Sequence, residues 1–126
     1  KKDTNDTRES PAIYVTDKLL DEGALISVFD PMVSEKQIHE DLINLWKSKD
    51  LSDAKIKDKL SKIEVCNTHL EAIKDSFAIA ILTEWDEFKE YNWTEIQSLM
   101  NKPAKIFDGR NILIDNKLIL NYYPIG

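Results

Sequence analysis

Glycine is scarce in this chain. Only Gly23, Gly109 and Gly126 occur among 126 residues, so no G-x-G-x-x-G loop can be written and the sequence cannot by itself cradle a dinucleotide pyrophosphate. Cysteine is scarcer still, and the lone Cys66 excludes an internal disulfide and any cysteine-based metal site. A single thiol fits a reducing compartment. No apolar run approaches the roughly 20 residues that a membrane-spanning helix needs, and the polar, charged stretch Lys1 to Ser10 is neither a signal peptide nor an anchor. The expected location is therefore cytoplasmic. Positive charge is also short: 17 cations face 23 acids, for a net charge of -6. That balance argues against nucleic acid or an anionic membrane as partner, because both attract a basic field.

What is present reads as an ordinary α/β chain, 42% hydrophobic and 32% charged, forming a single domain over residues 1–126. DTNDTRES at 3–10 is a polar turn with Asp6 or Thr7 as N-cap. A helix follows with Pro11 in its first turn. Ala12, Val15, Leu19 and Leu20 mark its inner face, Asp17 and Asp21 lie off it, and Gly23 stops it. LISVF at 25–29 is a strand closed by Asp30-Pro31. Ser34 caps a helix bearing Ile38, Leu42, Leu45 and Trp46, and a second helix carries Leu51, Ile56 and Leu60 inward. Ile63 to Val65 is a short strand. FAIAIL at 77–82 reads as a strand buried on both faces, after which a helical stretch runs to about Met100. AKIF at 104–107 is a further strand, and a short helix and a strand near Leu118 to Tyr123 complete the chain. Strands alternating with helices predict a Rossmann-like, doubly wound and mainly parallel sheet with helices on both faces. Its first strand is truncated, since none precedes the first helix; the bare ends suggest a piece of a larger protein.

In such a sheet, ligands bind outside the carboxyl ends of the strands. Lys1-Lys2-Asp3, Asp30-Pro31, Thr83-Glu84-Trp85 and Asp108-Gly109-Arg110 all fall there. Of the 17 cations only Arg8 and Arg110 are arginines, and both lie in or beside these segments. Arginine grips phosphate with a planar, two-pronged donor set that lysine lacks. The pattern fits a small phosphate-bearing ligand. The same arginines could instead pair with Asp6 or Asp108. Trp85 either belongs to the core or stacks on a base, while Trp46 and Trp93 read as packing residues. Asp30 stands where a ribose-binding acid sits in dinucleotide folds, although an Asp-Pro turn is the simpler role. His39 and His69 are too far apart in sequence, and too poor in neighbouring ligands, to suggest a metal. No residue offers itself as nucleophile, general base or hydride carrier, so the catalytic set in this chain is empty.

KKDTNDTRESP, EGA with the strand and FDP, FAIAILTEWDEFKE and KPAKIFDGRN occur in this order. Together they resemble the C-terminal, UDP-binding domain of the UDP-glucose 6-dehydrogenase family. The stretch from about Ser34 to Leu60 carries no matching block. The resemblance implies an oxidoreductase in which an N-terminal Rossmann domain holds most of the NAD. Central helices would support a homo-oligomer, and this domain would bind the UDP part of UDP-glucose. Oxidation to UDP-glucuronate would consume two NAD, with the catalytic cysteine outside this chain. Residue by residue, it implies that Lys1 and Arg110 bind the UDP-sugar and that Arg8 reaches the NAD phosphates. A stand-alone UDP or nucleotide-sugar binding module is the alternative, as is a related dehydrogenase domain acting on a UDP-N-acetylhexosamine or GDP-mannose.

Overall fold

Pro11 has no backbone N–H to lose, and it opens helix α1 (Pro11–Asp21). A computed structural model of the chain describes residues 11–125. The Asp6 and Thr7 caps, like Lys1, Lys2, Asp3 and Arg8, lie outside those residues. The described residues fall into two units, 11–72 and 73–125.

α1 buries Ile13, Asp17 and Leu20, a face rotated from the one expected. Leu19 is exposed and Asp17 is 2% exposed. Apolar periodicity alone misplaces the face because a carboxylate occupies its centre. The helix ends in paired reverse bonds, Gly23 N–H to the Leu20 carbonyl and Ala24 N–H to the Leu19 carbonyl, both 3.0 Å. Gly23 takes φ +90° there, a conformation that costs glycine little. Strand β1 (Ile26–Val28) pairs in parallel with β2 (Ile63–Val65), Ile26 opposite Ile63 and Val28 opposite Val65. Between them run α2 (Glu35–Ser48) and α3 (Asp53–Leu60), capped by Ser34 and Ser52, whose side chains accept from Gln37 N–H and Lys55 N–H. Ile13, Leu20, Val33, Ile38, Leu42, Trp46 and Ile56 make one core, with Ile26, Val28, Ile63 and Val65 against it.

Asp17 sits inside this unit with its charge matched. Its carboxylate accepts from Trp46 Nε1 at 2.7 Å, from Lys49 Nζ at 2.5 Å and from Lys59 Nζ at 3.4 Å. Lys59 also pairs with Asp21 and lies 5.6 Å from the Trp46 ring centroid. Burial by itself would raise the Asp17 pKa, but the bonds from Lys49 and Trp46 outweigh it and hold the group below its ordinary value.

Helix α4 (His69–Ile73) leads into the second unit. There β3 (Ala78–Ile81), β4 (Lys105–Asp108) and β5 (Tyr122–Pro124) form a parallel sheet in the order β3-β4-β5. The helical stretch expected to Met100 is divided into α5 (Asp86–Lys89) and α6 (Trp93–Leu99). Asn92 causes the break, because its side chain accepts from Glu95 N–H and so starts a new helix in place of continuing the old one. The short helix expected before the last strand is absent: 109–121 is a series of turns. Side chains take the backbone donors a helix would use, Leu113 N–H going to Asp108, Leu118 N–H to Asn116 and Leu120 N–H to Gln97. β3 is not buried on both faces either. Ala78 and Ala80, which share one face, are exposed and Phe77 is 62% exposed; among the described residues β3 is an edge strand, paired only with β4. Parallel strands with interleaved helices make the chain a mixed α/β fold of Rossmann-like type. Among the described residues no helix is long and apolar enough to cross a membrane.

Candidate functional site

Since β3, β4 and β5 run in parallel, their carboxyl ends share one edge, and the register sets Ile81, Asp108 and Pro124 side by side there. Asp108 is the foundation of this edge. It is fully buried, and its two oxygens accept from three donors. Oδ1 takes Arg110 N–H at 3.1 Å, while Oδ2 takes Leu113 N–H at 2.9 Å and the Tyr122 hydroxyl at 2.6 Å. One carboxylate thus folds the turn after β4 and ties it to β5. Burial, and then the hydrogen bond to the Asp108 carboxylate and its charge, push the Tyr122 phenol well above its ordinary pKa, so it stays protonated and donates.

Gly109 follows, donating its N–H to the Ile81 carbonyl at 3.0 Å. A Cβ there would stand 3.1 Å from that oxygen and 3.7 Å from Leu82 Cδ2. The glycine is therefore needed for close approach to the neighbouring strand end. The missing Cβ faces that strand end and not a ligand, and the described residues contain no glycine-rich turn of the kind that cradles a pyrophosphate.

Arg110 is the one described residue of the three carried over as ligand contacts. Its Nη2 donates to Glu84 Oε1 at 2.8 Å, and both side chains are 33% exposed. Glu84 follows β3 and Arg110 follows β4, so the pair bridges adjacent strand ends. The expected alternatives, Asp6 and Asp108, both named acids close in sequence. For Arg110 the structure selects Glu84, 26 positions away, while Asp108 takes backbone N–H groups and the Tyr122 hydroxyl, and Asp6 lies outside the described residues. An arginine has five N–H donors, and this bond uses one nitrogen of the fork. The group can still meet an oxyanion from the solvent side.

Other candidates resolve as structure. Trp85 is 5% exposed and belongs to the core. Trp93 is buried with Nε1 donating to the Phe88 carbonyl at 2.8 Å, and Trp46 is bound to Asp17. Asp30 accepts from Met32 N–H at 2.8 Å, which closes the Asp-Pro turn. Cys66 is buried, and burial together with Glu64 pushes its thiol up to about 11, leaving it a protonated packing group at neutral pH. His69 packs near the Phe29 ring, 6.2 Å between centroids. Among the described residues no three of His, Cys, Asp and Glu converge as a metal site.

The edge after β4 falls inside a longer sequence match. Residues 1–115 match the UDP-glucose/GDP-mannose dehydrogenase family, UDP binding domain. The chain belongs to this family. A relative from Arabidopsis thaliana, UDP-glucose 6-dehydrogenase 4, is 46% identical over 94% of this chain and 25% of its own length. The Bos taurus UDP-glucose 6-dehydrogenase is 43% identical over 90% of this chain and 22% of its own. The chain thus spans about a quarter of the relatives it matches, in their C-terminal part. Among solved structures, the UDP-D-ManNAc dehydrogenase from Pyrococcus horikoshii superposes with a TM-score of 0.50 at 19% identity. That match covers 90% of this chain and 30% of the other, and it supports the fold. Within the family domain, the turn bearing Arg110 places a partly exposed cation on the strand-end edge.

Proposed function

We propose that this chain supplies the UDP-binding part of an NAD-dependent UDP-glucose 6-dehydrogenase, and that Arg110 binds the UDP portion of the sugar nucleotide. The observation that carries the reading is the match of residues 1–115 to the UDP-binding domain, reinforced by relatives named for UDP-glucose oxidation. Arg110 supports it physically. It is a partly exposed guanidinium on the edge where open α/β sheets take ligands, held on a turn that a buried carboxylate folds. Lys1 is a second proposed contact to the sugar nucleotide, and Arg8 a contact to the NAD phosphates. NAD would be held mainly by another part of the protein, which would also supply the nucleophile. A homo-oligomer would form through contacts outside this chain.

The full-length protein should reduce NAD when given UDP-glucose and fail to do so with GDP-mannose or UDP-N-acetylhexosamines. Reduction with GDP-mannose or a UDP-N-acetylhexosamine, and none with UDP-glucose, would assign it to the corresponding related dehydrogenase. UDP binding with no oxidation of any of these would make it a binding module.

A further inference from the structure

We propose that Glu84 is a positioning residue for the nucleotide-sugar site: it aims the Arg110 guanidinium and is not itself a ligand contact. The inference rests on the proposal that Arg110 binds the UDP-sugar, and deepens it. Arg110 stands on a turn whose backbone is fixed from below by Asp108, through Arg110 N–H at 3.1 Å and Leu113 N–H at 2.9 Å. Those bonds fix where the side chain starts. They do not fix where the end of a long, rotatable side chain goes. Among the described residues, the fork itself is held from the adjacent strand end, where Glu84 Oε1 accepts from Nη2 at 2.8 Å.

Glu84 is well placed for this. It lies three residues past Ile81, which is in register with Asp108, and directly before Trp85, which is 5% exposed and anchors the turn after β3. A residue next to a buried tryptophan has a fixed backbone from which to hold its partner. Ordering an arginine costs side-chain entropy when a ligand binds. An existing bond to Glu84 meets part of that cost in advance and leaves the rest of the planar donor set for phosphate oxygens. A negative charge beside an anion site opposes binding, but at one-third exposure solvent screens it. The net effect of Glu84 is therefore favourable and acts on substrate binding alone.

The test is steady-state kinetics of the full-length protein with UDP-glucose and NAD, comparing Glu84→Ala, Glu84→Gln, Arg110→Ala and the double variant Glu84→Ala with Arg110→Ala. Glu84→Gln keeps an acceptor oxygen at the same reach. Removing the carboxylate should raise KM for UDP-glucose about fivefold with kcat unchanged, and Glu84→Gln should recover most of the loss. In the Arg110→Ala background, Glu84→Ala should have no further effect. An unchanged or lowered KM in Glu84→Ala, when Arg110→Ala raises KM, would overturn the positioning role while leaving Arg110 as a substrate contact. So would an equal loss from Glu84→Ala in the absence of Arg110. An unchanged KM in Arg110→Ala would instead remove the substrate assignment of Arg110, and the role of Glu84 with it.

Discussion

The most deeply buried carboxylate of each unit, Asp17 in 11–72 and Asp108 in 73–125, is put to a different use. In 11–72, Asp17 gathers Trp46, Lys49 and Lys59 around itself, tying α1 to α2 and α3. Its partners are side chains, and the charges are matched within the fold. In 73–125, Asp108 takes two backbone N–H groups and a phenol, so its bonds shape a turn. The cation nearby, Arg110, is left at the surface in contact with Glu84. A buried acid that neutralises lysines builds a scaffold. One that organises backbone can present an arginine to something else.

The comparison can be broken first at Asp108. Replacing it with Ala leaves the Leu113 and Arg110 N–H groups and the Tyr122 hydroxyl without their acceptor, a loss of about 4 kcal/mol for the three together. Urea unfolding of the full-length variant, followed by a probe in this region, would show it. A change under 1 kcal/mol would mean that the turn holds without its carboxylate. Asp17→Ala should cost somewhat less, about 3 kcal/mol, since the Trp46 N–H is orphaned in the core while Lys49 can reach water and Lys59 keeps Asp21. The pH dependence follows from the lowered Asp17 pKa, whose ordinary value is 3.8. A depressed folded-state value means a contribution that is present at neutral pH and lost as the pH falls below about 4. Asp17→Asn should therefore flatten the acid limb of the stability profile, and an unchanged limb would show that the lysines do not favour the ionised form. The smallest change is Gly109→Ala, about 1 kcal/mol, because a Cβ 3.1 Å from the Ile81 carbonyl forces the strand ends apart by a few tenths of an ångström. Its larger consequence should be a raised KM for UDP-glucose, since Arg110 is the next residue.

Local patterns in the sequence reach the elements and stop short of the long-range bonds. LISVF, FAIAIL and AKIF become β1, β3 and β4, and Ser34 and Gly23 act as cap and stop, because strand runs and helix ends are decided within a few residues. The face of α1 is missed because its centre is Asp17, whose partner Trp46 lies 29 positions on. The turns of 109–121 are missed because Asp108 and Gln97 capture their donors from outside the segment. Arginine scarcity and its position after a strand single out Arg110, but nothing in a linear pattern names Glu84, 26 positions away, as its partner. An Asp-Gly-Arg turn in which the aspartate folds the loop and the arginine faces outward is the signal that could have separated their roles.

The most direct measurement of the account is the affinity of the full-length protein for UDP, by calorimetry, in the parent and in Arg110→Lys. Lysine keeps the charge and loses the planar fork, so UDP binding should weaken on the order of tenfold while the unfolding transition stays in place. Equal affinity in the two proteins would show that Arg110 serves only its pairing with Glu84, and that the UDP site lies elsewhere.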